Sequence, residues 1–197
     1  MASSAPSLIA EPCVLVIFGA SGDLCARKLI PALYDLDRAG RLPRGMCILG
    51  MSRTEMSDDA FREKMLASTR QFSTHFEQDK WTSFAKRVFY HAGDAVQGDA
   101  FGPLSRRINE LGASTGILRH DGSPNILFYL SVSPNLYEGI IGNIGQSGIV
   151  AEGHRWCSIN AEQTSWQRII VEKPFGTDLA STVSLNRALG RVFDEES

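Results

Sequence analysis

The chain reads as an α/β protein built on a doubly wound parallel sheet. Three observations predict this. Short apolar runs rich in β-branched residues alternate with amphipathic helical stretches from Cys13 onward. The runs Cys13–Phe18 and Met46–Met51 are continuously apolar, as strands covered on both faces require. No internal repeat or low-complexity block breaks the alternation.

Each element has its own signal. Residues 1–12, with Ser3, Ser4, Pro6 and Pro12, read as a flexible leader to one domain spanning 13–197. Cys13–Phe18 is the first strand. Leu24, Leu29, Leu33 and Leu36, with charged residues between, predict a helix from Leu24 to Arg38. Pro31 falls inside this helix and should kink it or loosen a turn; Gly40 and Pro43 end it. Met46–Met51 is the second strand. Ser57 is placed to cap a helix to about Gln71, with Asp58 and Asp59 in its acid-favouring first turn.

Glu77–Ala85 reads as helix and Arg87–His91 as strand. A helix over Ala100–Leu111 and a turn-rich loop over Gly112–Ser123 follow. Asn125–Ser131 is a strand, and Pro134–Ile144 a helix with proline in its first turn. Residues 145–165 read as irregular. Arg168–Val171 is a final buried strand, and Asp178–Arg191 the last helix.

Composition narrows the function classes. With 197 residues and 43% hydrophobic content, the chain can bury a substantial core. A net charge of −2 gives no electrostatic footprint for nucleic acid or a membrane surface. The N-terminus lacks a signal-peptide pattern, and no apolar run is long enough to span a bilayer, so a cytoplasmic setting is expected. Cys13, Cys25, Cys47 and Cys157 are widely spaced with no CxxC, which favours buried thiols over metal ligands. No metal site is expected.

The first strand breaks at Gly19-Ala20-Ser21-Gly22-Asp23-Leu24 and a helix begins at once. That is how a dinucleotide-binding, Rossmann-type fold delivers helix N–H groups to a pyrophosphate. One glycine permits the tight turn and a later one lets the backbone approach the phosphate. Gly19 and Gly22 fit those roles, with the amides of Ser21 to Leu24 facing the ligand. The third glycine position of a full GxGxxG falls on Leu24. An acid at the helix start competes with an anion, so Asp23 reads as a capping residue facing away from the phosphate. Lys28, four residues beyond Leu24, shares that residue's face near the turn.

At the end of the second strand, where NAD-selective enzymes carry an acid, this chain has Met51-Ser52-Arg53. A guanidinium there suits the 2′-phosphate of NADP through charge-assisted bonds worth roughly 1.5–3 kcal/mol each, about 10- to 150-fold in affinity. In Ile169 to Gly176, Lys173 stands at a strand's carboxyl end, where open parallel sheets bind ligands. There it is placed to hold a phosphorylated or hydroxylated substrate beside a nicotinamide.

Four segments in this order, FGASGDLxxRKLxPALY, GMSR, LFYLSVSPNLYEGI and RIIVEKPFGTDL, closely resemble the N-terminal part of the glucose-6-phosphate dehydrogenase family. The resemblance runs from about Val14 to Leu189. It implies NADP bound over Gly19, Ala20, Ser21, Gly22, Asp23, Leu24, Cys25 and Ala26, with Arg53 on its 2′-phosphate. It implies further cofactor contacts at Tyr137 and Lys173, a weaker one at Gly93 and Asp94, and substrate contacts at Lys28 and Lys173. Cys25 departs from the family's usual alanine, and Ala26 from a common basic residue.

The family reaction is hydride transfer from C1 of glucose 6-phosphate to C4 of the nicotinamide, giving a lactone in the oxidative pentose phosphate pathway. Its enzymes are homo-oligomers. Its catalytic histidine lies in a second α+β domain, after a phosphate-gripping motif of the type RIDHYLGK. That motif does not occur here, and His75, His91, His120 and His154 fall elsewhere. The expectation is therefore a coenzyme domain lacking the second domain, with no catalytic residue of its own and little turnover alone. A non-catalytic NADP-binding module, or one half of a split enzyme completed by a partner chain, is the alternative. A short-chain reductase is disfavoured, because no Tyr-x-x-x-Lys pair occurs.

Overall fold

A computed structural model describes residues 10–150, 164–174 and 178–193. Five parallel strands form one sheet: β1 (Val14–Phe18), β2 (Cys47–Ser52), β3 (Val88–Ala92), β4 (Ile126–Leu130) and β5 (Gln167–Val171), in the order β3-β2-β1-β4-β5. The helices are α1 (Ile30–Arg38), α2 (Asp58–Phe72), α3 (Gln78–Ala85), α4 (Phe101–Thr115), α5 (Tyr137–Gln146) and α6 (Leu179–Val192). The doubly wound parallel sheet is thus borne out.

Successive residues of a strand point to opposite faces, so the apolar run of β1 feeds two cores. Val14, Val16 and Phe18 pack with Leu104 and Ile108 of α4, Ile140 and Ile144 of α5 and Leu185 of α6. Leu15 and Ile17 pack with Tyr34 of α1, Phe61 and Met65 of α2 and Trp81 and Phe84 of α3. Gly50 of β2 makes room on this second face, where a Cβ would meet Ala20 Cβ at 2.7 Å and Phe61 Cζ at 2.8 Å. The fully buried Tyr34 adds a polar tie. Its hydroxyl accepts from the Glu77 amide at 2.8 Å and donates to the Glu77 carbonyl at 3.1 Å, fixing the entry to α3.

Several elements depart from the sequence expectations, each for a local reason. The helix expected over Leu24–Arg38 is present, and the turn that Pro31 is expected to loosen is the part that departs from regular winding. Cys25–Leu29 forms a π-helical turn, closed by the Ile30 amide donating to the Cys25 carbonyl, and α1 starts with Pro31 in its first turn. Proline has no N–H to give the preceding turn, and the wider turn absorbs the missing bond. Helix α4 runs one turn past Leu111 and stops at Gly116, whose φ of +69° suits a left-handed cap.

Asp58 does more than complement a helix dipole. Its carboxylate accepts from the Tyr90 amide at 2.7 Å and from Arg107 at 2.8 Å, satisfying a donor of the edge strand β3. The last strand is not buried as expected. In β5 only alternate residues pack inward: Ile169 and Val171 join the α4–α6 core, while Arg168 and Ile170 are exposed. An edge position accounts for this, since Leu127 and Tyr129 of neighbouring β4 still pack on the α1–α3 core whereas Ile170 is 39% exposed.

Helix α6 begins with a capping box. Asp178 accepts from the Ser181 amide at 2.8 Å, and Ser181 Oγ accepts in return from the Asp178 amide at 3.1 Å. Among the described residues, no helix is long and apolar enough to cross a membrane, and no group of three or more His, Cys, Asp or Glu gathers to hold a metal.

Candidate functional site

Because all five strands are parallel, every loop that carries a predicted site residue leaves the same, carboxyl edge of the sheet. At its centre β1 lies between β2 and β4, and the connections from β1 and β4 run to helices on opposite faces. This reversal opens the crevice in which such folds bind ligands.

The turn after β1 is built by Gly19. Its φ is +81°, and a Cβ there would lie 2.1 Å from the Ser131 carbonyl oxygen and 2.8 Å from Val132 Cγ1. The turn is pinned on both sides. The Gly19 and Ala20 amides donate to the Met51 carbonyl at 2.9 and 3.1 Å, and the Ser131 amide donates to the Phe18 carbonyl at 3.0 Å. Of the amides expected to face a ligand, that of Gly22 is engaged internally, donating to the Gly19 carbonyl at 2.9 Å. The first helical bond runs from the Ala26 amide to the Gly22 carbonyl at 3.2 Å, which leaves Asp23 and Leu24 in the opening turn, where N–H groups lack helical acceptors.

Gly22 differs in kind from Gly19. Its only close neighbour is the Gly19 carbonyl at 3.1 Å, so the outer side of the turn is open. A side chain at 22 would fill that space. On the Gly19 side of the turn, Ser131 Oγ is buried with no hydrogen-bond partner among the described residues. An open glycine-lined turn, a helix start and an unsatisfied hydroxyl suit an anionic, oxygen-rich ligand such as a dinucleotide pyrophosphate.

Asp23 does not cap the helix. It is its first residue, largely exposed, and pairs with Arg27 at 3.5 Å one turn on. Lys28 is exposed and falls within the π turn. Cys25 and Ala26 are buried against the α1–α3 core.

Arg53 follows β2 directly, is exposed, and has no ion-pair partner among the described residues. Its neighbours are held by Tyr90 of β3, a residue that sequence reasoning passed over. The phenol lies 2.7 Å from Ser52 Oγ and donates to the Thr54 carbonyl at 2.5 Å, bracketing Arg53 on both sides. Burial pushes this phenol's pKa up, so it stays a donor. Only the alternation of β3, which turns Tyr90 inward, hinted at it. Gly93 and Asp94 continue β3; the Gly93 amide donates to the Ser52 carbonyl at 2.9 Å, which sets both residues beside the Arg53 loop. Asp94 itself accepts from the Val96 amide at 3.2 Å.

On the other side of the crevice, Tyr137 opens α5 and is buried. Glu172 follows β5 and accepts from the Tyr129 hydroxyl of β4 at 2.5 Å. Burial, and then this bond, push Tyr129 up to about 12, while burial and the Glu172 charge raise Tyr137. Lys173, the next residue, is exposed and joined to Pro174 by a cis bond. The structure thus groups the glycine turn, Arg53, Gly93 and Asp94 around β1–β3, and Tyr137 and Lys173 around β4–β5.

The cysteines bear out the buried-thiol expectation where they are described. Cys13, Cys25 and Cys47 are free and buried; burial pushes Cys13 and Cys25 up to about 12. Neither forms an appreciable thiolate near neutrality. At pH 8 both are expected to resist iodoacetamide in the native state and to react once urea unfolds the chain, as read by mass spectrometry. Cys157 and His154 lie outside the described residues. His75 and His120 are exposed, and His91 is half-buried in β3, where burial and then Arg107 lower its pKa.

Fold and site together define a nucleotide-binding domain of the doubly wound α/β class. The family described as "Glucose-6-phosphate dehydrogenase, NAD binding domain" matches residues 16–197. The chain belongs to the glucose-6-phosphate dehydrogenase family. It is 36% identical over 188 residues to the glucose-6-phosphate 1-dehydrogenase of Chlamydia muridarum, covering 94% of this chain and 35% of that protein. With the enzyme of Aggregatibacter actinomycetemcomitans, identity is 39% over 189 residues, covering 94% and 34%. A solved glucose-6-phosphate dehydrogenase, in complex with its substrate glucose-6-phosphate, superposes with a TM-score of 0.76 at 31% identity, covering 95% of this chain and 36% of that one. The chain spans about a third of the length of these relatives.

Proposed function

We propose that this chain is the coenzyme-binding part of a glucose-6-phosphate dehydrogenase, selective for NADP. The observation that carries this reading is the turn at Gly19–Gly22, pinned from below by β2 and β4 and open above at Gly22. Residues 13–197 act as the binding unit after a leader of residues 1–12. The stretch from Gly19 to Ala26 receives the pyrophosphate, and the opening amides at Asp23 and Leu24 meet its charge. Arg53 recognises the 2′-phosphate, with Gly93 and Asp94 contributing alongside it. Tyr137 and Lys173 border the nicotinamide half of the crevice.

The bound nicotinamide supplies the acceptor for the hydride leaving C1 of glucose 6-phosphate. The chain's own residues bind and orient. Lys173 holds the sugar phosphate against the cofactor and Lys28 lies on the substrate side. No histidine of this chain is assigned as the base that takes the C1 hydroxyl proton. Turnover by this chain alone is accordingly expected to be negligible, with the remaining two-thirds of the relatives' length supplying that chemistry. A cytoplasmic homo-oligomer completes the proposal.

Isothermal titration tests it directly. NADP should bind about 10- to 150-fold more tightly than NAD, the range set by charge-assisted bonds to one phosphate. Equal or undetectable affinities for the two nucleotides would overturn the reading.

Tyr90→Phe probes the support beneath Arg53. Loss of the phenol frees Ser52 and Thr54, so NADP affinity should fall about fivefold while NAD affinity holds, with stability lowered by about 1 kcal/mol. Calorimetry and urea unfolding on one sample separate the two effects.

A further inference from the structure

The turn after β1 is touched by a cation that the family resemblance did not bring into view. Lys64, on the second turn of α2, donates from Nζ to the Ser21 carbonyl at 2.7 Å. The contact bridges 43 residues of sequence and depends on α2 packing over the π turn. Lys64 is exposed and has no carboxylate partner among the described residues. An ammonium has three donors, and the Ser21 carbonyl takes one.

The surroundings say which ligand group this charge meets. Ser21 is the residue before the open glycine, on a turn whose preceding two amides are fastened to the Met51 carbonyl. Met51 is two residues ahead of Arg53, and α2 begins five residues after Arg53. Lys64, bonded to Ser21, and Arg53, two residues after the carbonyl that fastens Gly19 and Ala20, are thus both tied to the β2 side of the turn. Lys28 and Lys173 belong to other parts of the site.

We infer that Lys64 is a second cation for the adenosine 2′-phosphate of NADP, acting with Arg53 and held in place by the Ser21 carbonyl. This rests on the proposed binding of NADP at the glycine turn. The role is recognition of a phosphate monoester, so Lys64 contributes to the preference for NADP over NAD and leaves NAD binding untouched. Its charge is solvent-exposed, so its share is the modest one of an exposed ion pair, roughly threefold to fivefold in affinity. Screening by salt should erode that share.

The test titrates the whole chain with NADP, NAD and adenosine 2′,5′-bisphosphate, comparing wild type with Lys64→Gln and Lys64→Arg. Lys64→Gln should weaken NADP and the bisphosphate roughly threefold to fivefold at low salt, and this loss should shrink at high salt. NAD should be unchanged, and Lys64→Arg should restore most of the affinity. If NADP and NAD weaken together, Lys64 only braces the turn and the inference is overturned. Unchanged affinity for all three ligands overturns it as well. Failure of the wild-type chain to bind NADP would instead overturn the nucleotide-site reading on which the inference stands.

Discussion

Gly19→Ala is expected to destabilise the chain by about 3 kcal/mol and to abolish measurable nucleotide binding. Two costs add. A φ of +81° places any L side chain in the left-handed region, at roughly 1–2 kcal/mol. The new methyl would also lie 2.1 Å from the Ser131 carbonyl oxygen, a backbone atom that no rotamer change can move. Relief requires the ends of β1 and β4 to part, an overpacking cost of about 1–3 kcal/mol. Urea unfolding should show a midpoint lowered by about 1 M or more with an unaltered slope. Gly22→Ala is the control. Position 22 meets only the Gly19 carbonyl at 3.1 Å, so its variant should fold within about 1 kcal/mol of the parent yet bind nucleotide poorly. Equal stability losses at both positions would contradict this division of labour.

Arg53→Gln is expected to remove most of the preference for NADP over NAD without disturbing the fold. The side chain is exposed and unpaired among the described residues, so its removal should change stability by no more than about 0.5 kcal/mol. Loss of the charge-assisted contact to the 2′-phosphate should cost NADP about 10- to 150-fold in affinity while NAD is unaffected. Isothermal titration of both nucleotides provides the readout. A uniform loss for NADP and NAD would place Arg53 on a group that the two share.

Much of this architecture was legible because the signals were local and redundant. Val14–Phe18 announces a doubly covered strand through five consecutive apolar residues, and Ser57 announces a helix start through a single capping side chain. The residues of the site were legible as types at the ends of strands. Their support was not, because it comes from contacts distant in sequence. Tyr90 fastens the Arg53 loop across 38 residues, and Lys64 reaches Ser21 across 43. Asp58 reads as one more acid in a first helical turn until β3 is laid beside it. The partial exposure of β5 follows from strand order, which apolar content alone does not reveal.

The wide turn from Cys25 to Leu29 has a consequence for how this segment tolerates change. It carries one residue more than a regular helix would need, and each residue rotates a regular helix by about 100°. Inserting a further residue between Arg27 and Leu29, where the one-residue surplus is already taken up, would swing Asp23 and Leu24 by about 100° around the axis relative to the Tyr34 anchor. The amides that open toward the crevice would then point elsewhere, although every glycine remained. Chain length between the phosphate turn and Tyr34 is therefore as much a determinant of binding as the identity of any side chain along it.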